Sequence, residues 1–385
     1  MKIGIFVPHG AIPDTRGFAP AIVAQNFAKH LKFCLPTFIS NQEQYTTKYE
    51  KNELWDNYRL YQSKAYKRIF QKITRLDPLS LGKKASNIAK VNHFDIFHVH
   101  QKEFNVAEFK KITNNKIPVV VHAHVSIGLF DKKLGTADKY IAVSNFTKLK
   151  MIEKGFCPEL IDVIHNGIDT TLFTKPSINE LFILKDILGI PRDNKVILFA
   201  GRKQRGKGFF EFLKITKIIL EKYLDITIIA AGPEPSDAAT EIDYGEREKL
   251  RGLLSKYKNF IDLPPLPHSK LKNLLAISDI FLYLSRGDNH SLSIIEAMVS
   301  ECAVITTDVG GNKESIANGE TGYIVDSADN MEAVVGLIEE LIFDKDKLAS
   351  MQMKAKSFAV SNFDWNIVTA KLEKTYFSIS NRNKL

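Results

Sequence analysis

Lys195–Tyr223, "KVILFAGRKQRGKGFFEFLKITKIILEKY", decides the fold. An apolar run reads as a buried strand, a loop rich in Gly, Arg and Lys follows, and the rest has helical period. Within the loop, Gly201, Gly206 and Lys207 supply all but the last letter of the phosphate-loop pattern G-x-x-x-x-G-K-[ST]. The last letter is Gly208, where a hydroxyl would be needed to hold Mg²⁺. A Mg²⁺-dependent loop is also expected to open the first strand–helix unit of a chain, and this one opens a second. What remains is a pair of cations, Arg202 and Lys207, on a loop entering a helix. Two fixed cations neutralise a diphosphate without a metal.

Working outward, strand-then-helix units run in both directions from this stretch. Before it stand "KIGIFVPHG", "FDIFHVHQ", "IPVVVHAH", "KYIAVS" and "IDVIHNGID"; after it stand "DITIIAAG", "NFIDLPPL", "IFLYLS", "AVITTDVGG" and "GYIV". Alternation of this kind predicts parallel sheets with helices on both faces, and the restart predicts two such domains. Turn residues and Pro176 put the boundary between 1–175 and 176–362. The segment 363–385 is helical in period, lies beyond the last strand, and is expected to pack back on the first domain. Ligands of such sheets bind outside the carboxyl ends of strands.

The 385 residues suit two domains, and 44% apolar with 25% charged residues is the composition of a globular protein. "MKIGIFVPHG" reads as a first strand, too short for a secretion signal. Three dispersed cysteines fit a reducing cytoplasm and give no zinc spacing. Residues 1–175 hold 26 Lys+Arg against 15 Asp+Glu, and the remainder 27 against 29. A basic first half beside a nearly neutral second half points to an anionic partner for the first, or to a solvated lysine-rich surface. Within it, Trp55, Tyr58, Tyr61, Ala65, Ile69 and Ile73 recur near helical spacing among Arg59, Lys64, Lys67, Arg68, Lys72 and Arg75. This reads as an amphipathic helix, either packed on the sheet or laid on an anionic membrane.

Further along, "SRGDNHSLSIIEAM" places Asp288 and Glu296 eight apart, the second on a helix beginning near Ser291. The amino terminus of that helix offers N–H groups to phosphate, and Glu296, one turn in, can accept from a ribose diol. "TTDVGGNKESI" adds the Gly310-Gly311 turn and Glu314.

In order and spacing, these pieces, with "IAVSNFTK", "AAGPE" and "LPHSKLKNLLAISDIFLYLS", make the chain resemble the family 4 glycosyltransferases nearly end to end. That large retaining group has the GT-B fold: two Rossmann-like doubly wound α/β domains facing a cleft. The resemblance implies a nucleotide sugar on the second domain. Arg202 and Lys207 would hold its diphosphate and Glu296 its ribose, with Asp288 and Glu314 near the sugar and diphosphate. Gly232, Asn289, His290, Ser291, Leu292 and Ser293 would complete the donor site. Two departures stand out: Asp288 occupies a position that is commonly Glu, and Gly17 is followed by Phe18 where a Gly-Gly pair is common. Gly17 would still approach the donor, with Arg16 and His100 on the acceptor side.

Four histidines, His98, His100, His122 and His124, sit at strand ends. Pairs spaced by two suggest a metal, but no Asp or Glu completes a site locally. The resemblance places His124 beside the donor sugar, and the others are expected to be structural. No metal and no bound cofactor is expected, and a UDP-sugar is favoured over a GDP-sugar as co-substrate. The implied acceptor is a glycan or lipid-linked sugar of bacterial cell-surface polysaccharide or lipopolysaccharide. Nucleic acid is not an expected partner. The expected location is cytoplasmic, with peripheral contact at an anionic inner membrane. Three rivals are a GT-B epimerase, which needs carboxylate acid/base groups on the first domain, a dehydrogenase, which needs a G-x-G-x-x-G that neither domain places correctly, and a non-catalytic sugar-nucleotide binder.

Overall fold

The computed structural model describes residues 1–7, 12, 19–42, 48–51, 53–61, 81–100, 104–124, 137–173, 175–234 and 242–380. Two compact units emerge: Met1–Gly167 with Trp365–Leu385, and Ile168–Asp364. The first unit therefore ends before the 175/176 boundary read from turn residues.

The first unit is an eight-stranded sheet of β1 (Lys2–Val7), β2 (Leu35–Gln42), β3 (Lys48–Lys51), β4 (Asp56–Tyr61), β5 (Ile96–Val99), β6 (Val119–Ala123), β7 (Lys139–Ala142) and β8 (Ile161–Val163). Their order is β3-β4-β2-β1-β5-β6-β7-β8, parallel except for the β3–β4 pair. Phe97, Val99, Val119 and Val121 bury one face with Phe104 and Phe109. Period-two alternation then sends His98, His100, His122 and His124 to the other face. There the Trp365–Ser380 helix packs: Trp365 lies edge-on to Phe27 at 5.1 Å, and Glu373 accepts from the N–H groups of Lys32 and Phe33 at 2.9 and 2.8 Å.

The stretch read as a basic aromatic helix divides. Trp55 is buried edge-on against Phe38, and Asp56–Tyr61 is β4, in parallel register with β2. Trp55, Tyr58 and Tyr61 thus share no helical face. Tyr58 stacks near Tyr49 across β3 and donates to Asn92, while Arg59 donates to the Ile12 carbonyl. Aromatic residues fit a pleated, half-buried surface, and the sheet edge supplies the partner that an isolated helix lacks. Lys64, Lys67, Arg68 and Lys72 lie outside the described residues, as do Arg16 and Gly17.

The second unit is a six-stranded parallel sheet of β9 (Lys195–Ala200), β10 (Ile226–Ala231), β11 (Phe260–Leu263), β12 (Ile280–Tyr283), β13 (Ala303–Thr307) and β14 (Gly322–Val325). The order β11-β10-β9-β12-β13-β14 reverses direction between β9 and β12, so the ligand crevice of an open α/β sheet falls there. Apolar clusters cover both faces, one built on Phe199, Phe209 and Phe212 and the other on Leu198, Phe281 and Ile295. Such burial on both sides explains why these strands read as continuous apolar runs.

Candidate active site

Two loops meet at the β9/β12 switch point. The first runs from β9 through a single 3₁₀ turn, Arg205–Lys207, into the Phe209–Lys222 helix. Between them Gly208 has φ 71°, and a Cβ there would fall 2.0 Å from the Leu284 carbonyl oxygen. The residue that breaks the phosphate-loop pattern is thus fixed by backbone conformation and by contact with the loop after β12. A serine or threonine would not fit.

On the second loop stands Asp288. Lys207 Nζ lies 2.6 Å from Asp288 Oδ2, and the Tyr283 hydroxyl donates to the same oxygen at 2.9 Å. Burial pulls the Lys207 ammonium downward, but the Tyr283 and Asp288 oxygens more than offset it, so the net displacement is upward. Lys207 is therefore held charged and held still. Asp288 does this positioning, and Tyr283 was not singled out from sequence. The signal was available, because Tyr283 ends a strand at the switch point.

The Gly311 N–H donates to the Asp288 carbonyl at 3.1 Å, which ties the Gly-Gly turn to the same loop; Glu314 follows on the next 3₁₀ turn, Asn312–Ser315. The Leu292–Val299 helix starts at Ser291, whose own side chain makes no capping bond, while Asn312 Oδ1 accepts from the Ser291 N–H at 3.3 Å. Its first N–H groups carry the positive end of the peptide dipoles. Asn289, Leu292 and Ser293 are partly exposed at this end, with Ser293 Oγ 3.1 Å from Ser291 Oγ.

Beside these loops lies a pocket of about 210 Å³ whose lining includes Gly201, Arg202, Gly232, Leu266, Ser293 and Glu296. Gly232 has φ 144°, and a Cβ there would sit 1.9 Å from the Gly201 carbonyl oxygen, so the β9 and β10 ends touch through backbone alone. Arg202 is exposed and forms no ion pair with any described residue. Glu296 Oε1 lies 3.0 Å from His268 Nε2, and this hydrogen bond raises the His268 imidazole above its ordinary value. His268 is a second site residue that sequence reasoning passed over.

Not every expected residue is offered to a ligand. His290 is buried, its ring edge-on to Phe363 and its Nε2 3.2 Å from Ser315 Oγ, so it packs the wall behind the loop. His100 is likewise buried, with Nδ1 2.9 Å from His124 Nε2, and takes a core position instead of an acceptor-binding one. Period two along β5 turns it onto the packed face. His124 remains partly exposed, and burial lowers its imidazole to about 3, so it is neutral.

The switch-point crevice thus brings together two cations, a helix amino terminus and a carboxylate at a pocket rim. Comparison with known proteins gives that chemistry a family. Residues 40–172 match the model "Glycosyltransferase Family 4" and residues 182–358 match "Glycosyl transferases group 1". The chain is a family 4-type glycosyltransferase.

Among relatives of this glycosyltransferase is the lipopolysaccharide 1,2-N-acetylglucosaminetransferase of Salmonella typhimurium, 25% identical over 334 residues, covering 84% of this chain and 85% of that enzyme. D-inositol 3-phosphate glycosyltransferase of Corynebacterium diphtheriae is 30% identical over 221 residues, 57% of this chain and 51% of that enzyme. Among solved structures, Anabaena Alr3699/HepE in complex with UDP and glucose superposes with a TM-score of 0.76 at 20% identity, over 98% of this chain and 100% of that one. Sucrose-phosphate synthase from Thermosynechococcus elongatus gives 0.73 at 16%, over 98% and 99%. The fold of this glycosyltransferase is GT-B. Among its described residues no helix is long and apolar enough to cross a membrane.

Proposed function

We propose that the protein is a retaining, metal-independent hexosyltransferase that moves sugar from a UDP-sugar to a glycan or lipid-linked acceptor in cell-surface polysaccharide synthesis. The observation that carries this reading is the Lys207–Asp288–Tyr283 set at the switch point, with Arg202 and Glu296 at the adjoining pocket. The nucleoside enters that pocket, Glu296 accepts from the ribose diol, and the diphosphate lies along Arg202, Lys207 and the Leu292–Val299 helix terminus. Ser291, Ser293 and Glu314 border it.

As the glycosidic bond to phosphate lengthens, the sugar gains oxocarbenium character and charge accumulates on the leaving diphosphate. Fixed cations and peptide dipoles stabilise that charge without reorganising. The acceptor hydroxyl attacks from the face the phosphate leaves, and the departing phosphate oxygen takes its proton. The family resemblance assigns neutral His124 a hydrogen-bonding role toward the donor sugar. Asp288 and Glu296 are not a hydrolase pair, which would flank the scissile bond; one fixes a lysine and the other a ribose.

Support for UDP comes from the complexes of fold neighbours with UDP and UDP-glucose. Support for a lipid-linked or anionic glycan acceptor comes from the basic excess of residues 1–175 and from the lipopolysaccharide relative. With UDP-, GDP- and ADP-sugars, release of nucleoside diphosphate together with acceptor elongation tests the reading, after chelation and then with Mg²⁺ or Mn²⁺ restored. Transfer from the UDP-sugar at an unchanged rate on restoring metal is expected. Epimerisation of the donor, or dependence on added Mg²⁺, overturns it.

A further inference from the structure

We propose that His98, His100 and His122 form a binding site for a divalent transition ion of the zinc class inside the first unit. β5 and β6 are parallel neighbours in a register that sets Val99 opposite Val121, so residues at alternate positions on both strands share one face. His98 and His100 rings stand 4.3 Å apart, His100 and His122 4.9 Å, and His98 and His122 5.4 Å. One ring nitrogen from each lies within 4.8 Å of the other two.

All three side chains are at most 2% exposed, yet His98 Nε2, His100 Nε2 and both His122 nitrogens meet no hydrogen-bond partner among the described residues. Buried polar atoms are seldom left in this state. The opposite nitrogens of two of the rings are engaged: His98 Nδ1 lies 2.6 Å from the Tyr376 hydroxyl, and His100 Nδ1 lies 2.9 Å from His124 Nε2. A proton donated through Nδ1 in each case leaves Nε2 as the nitrogen with a free lone pair. That is how outer partners orient metal-ligating imidazoles.

The donor set selects the ion. Imidazole nitrogens without a carboxylate suit zinc, cobalt or nickel and not magnesium or calcium. Ligation uses the lone pair of a neutral imidazole, and these three rings stand in a buried face with no acidic side chain within the cluster. Zinc–nitrogen bonds of about 2.0–2.1 Å put tetrahedral ligands about 3.4 Å apart, so nitrogens that lie within 4.8 Å of one another would draw together by up to about 1.4 Å through side-chain rotation. The ion would join β5 and β6 and, through Tyr376, the Trp365–Ser380 helix. It is separate from the diphosphate residues, which all belong to the second unit.

The test uses the full chain without a histidine tag, purified from zinc-supplemented cells, with metal content and zinc-edge X-ray absorption measured. One zinc per chain, surrounded by nitrogen at about 2.0–2.1 Å, is expected. His122→Asn should lose the ion, Tyr376→Phe should bind it about 10–100-fold more weakly, and His165→Gln should retain it. Parent protein that is folded but zinc-free overturns the site, as does zinc that persists in His122→Asn. Because the parent decides, a variant that fails to fold leaves the result intact. Unchanged affinity in Tyr376→Phe removes Tyr376 from the orienting role.

Discussion

At the second unit's switch point, the loops after β9 and β12 carry Lys207 against Asp288 and exposed Arg202, and the helix that follows carries Glu296 against His268. At the corresponding end of the first unit, β5 and β6 carry four imidazoles, three of them fully buried and all displaced toward the neutral form. Both sheets are wound in the same way, so topology alone does not assign their chemistry. The difference comes from where the polar residues sit. Those on the loops and helix ends keep solvent or an ionic partner, whereas those on strand positions facing a packed helix lose water.

The sharpest way to break this contrast is to remove the second unit's fixed charge. Lys207→Ala should lower kcat by about 10²–10³-fold, by analogy with loss of one donor to a developing anion, and Arg202→Ala by a similar or smaller factor. Steady-state kinetics with the protein shown folded by circular dichroism checks this. Near-normal kcat in both variants would remove the clamp. Glu296→Gln should act on binding instead, raising donor KM about 10-fold or more, the size of one hydrogen bond to a charged group, with kcat less affected.

Gly208→Ser sharpens the comparison differently, because it restores the letters of a phosphate loop. It should destabilise the protein by at least about 1–3 kcal/mol through the left-handed backbone and the Leu284 contact. Thermal unfolding reads the loss. Gain of a Mg²⁺ requirement with unchanged stability would show the loop to be a nucleotide-hydrolase element after all.

A smaller effect concerns pH. His268 titrates above its ordinary 6.5 because its charged form bonds to Glu296. The pair's contribution is full below that ordinary value and fades as pH rises through the raised one. Histidine NMR should show the raised titration in the parent and its return toward 6.5 in Glu296→Gln. No difference between the two would separate the residues. A last test, which should leave catalysis of the second unit untouched, is the replacement of Lys64, Lys67, Arg68 and Lys72 by Gln. It should weaken sedimentation with anionic liposomes and leave donor binding unchanged, since charge near such a surface contributes about 1 kcal/mol per residue.

Legibility in the sequence followed the same division. All six strands of the second unit were readable because each is a mainly apolar run, and β9, β10, β12 and β13 are buried on both faces. In the first unit β1 and β5 to β8 were readable as short, mainly apolar runs, whereas β2, β3 and β4 were not. "DNYRLY" mixes polar and aromatic residues, and without its pairing to β2 the spacing of Trp55, Tyr58 and Tyr61 suits a helix as well. For the candidate site, the cations and carboxylates were visible as a spaced pattern. Lys207 and Asp288 as one hydrogen-bonded pair with Tyr283, and Glu296 with His268, depend on which loops the sheet brings together. His290 shows the converse: it lies within the motif by sequence, but the loop turns it inward onto Phe363.

The central claim is that the second unit recognises a nucleotide through its diphosphate at Arg202 and Lys207. Calorimetric titration of UDP and uridine against the parent and the Arg202→Ala/Lys207→Ala double variant tests it most directly. The account predicts that the parent prefers UDP over uridine by at least about 100-fold, as two charge-assisted contacts imply, and that the double variant loses most of that preference while still binding uridine. An equal preference for UDP in parent and double variant would contradict it.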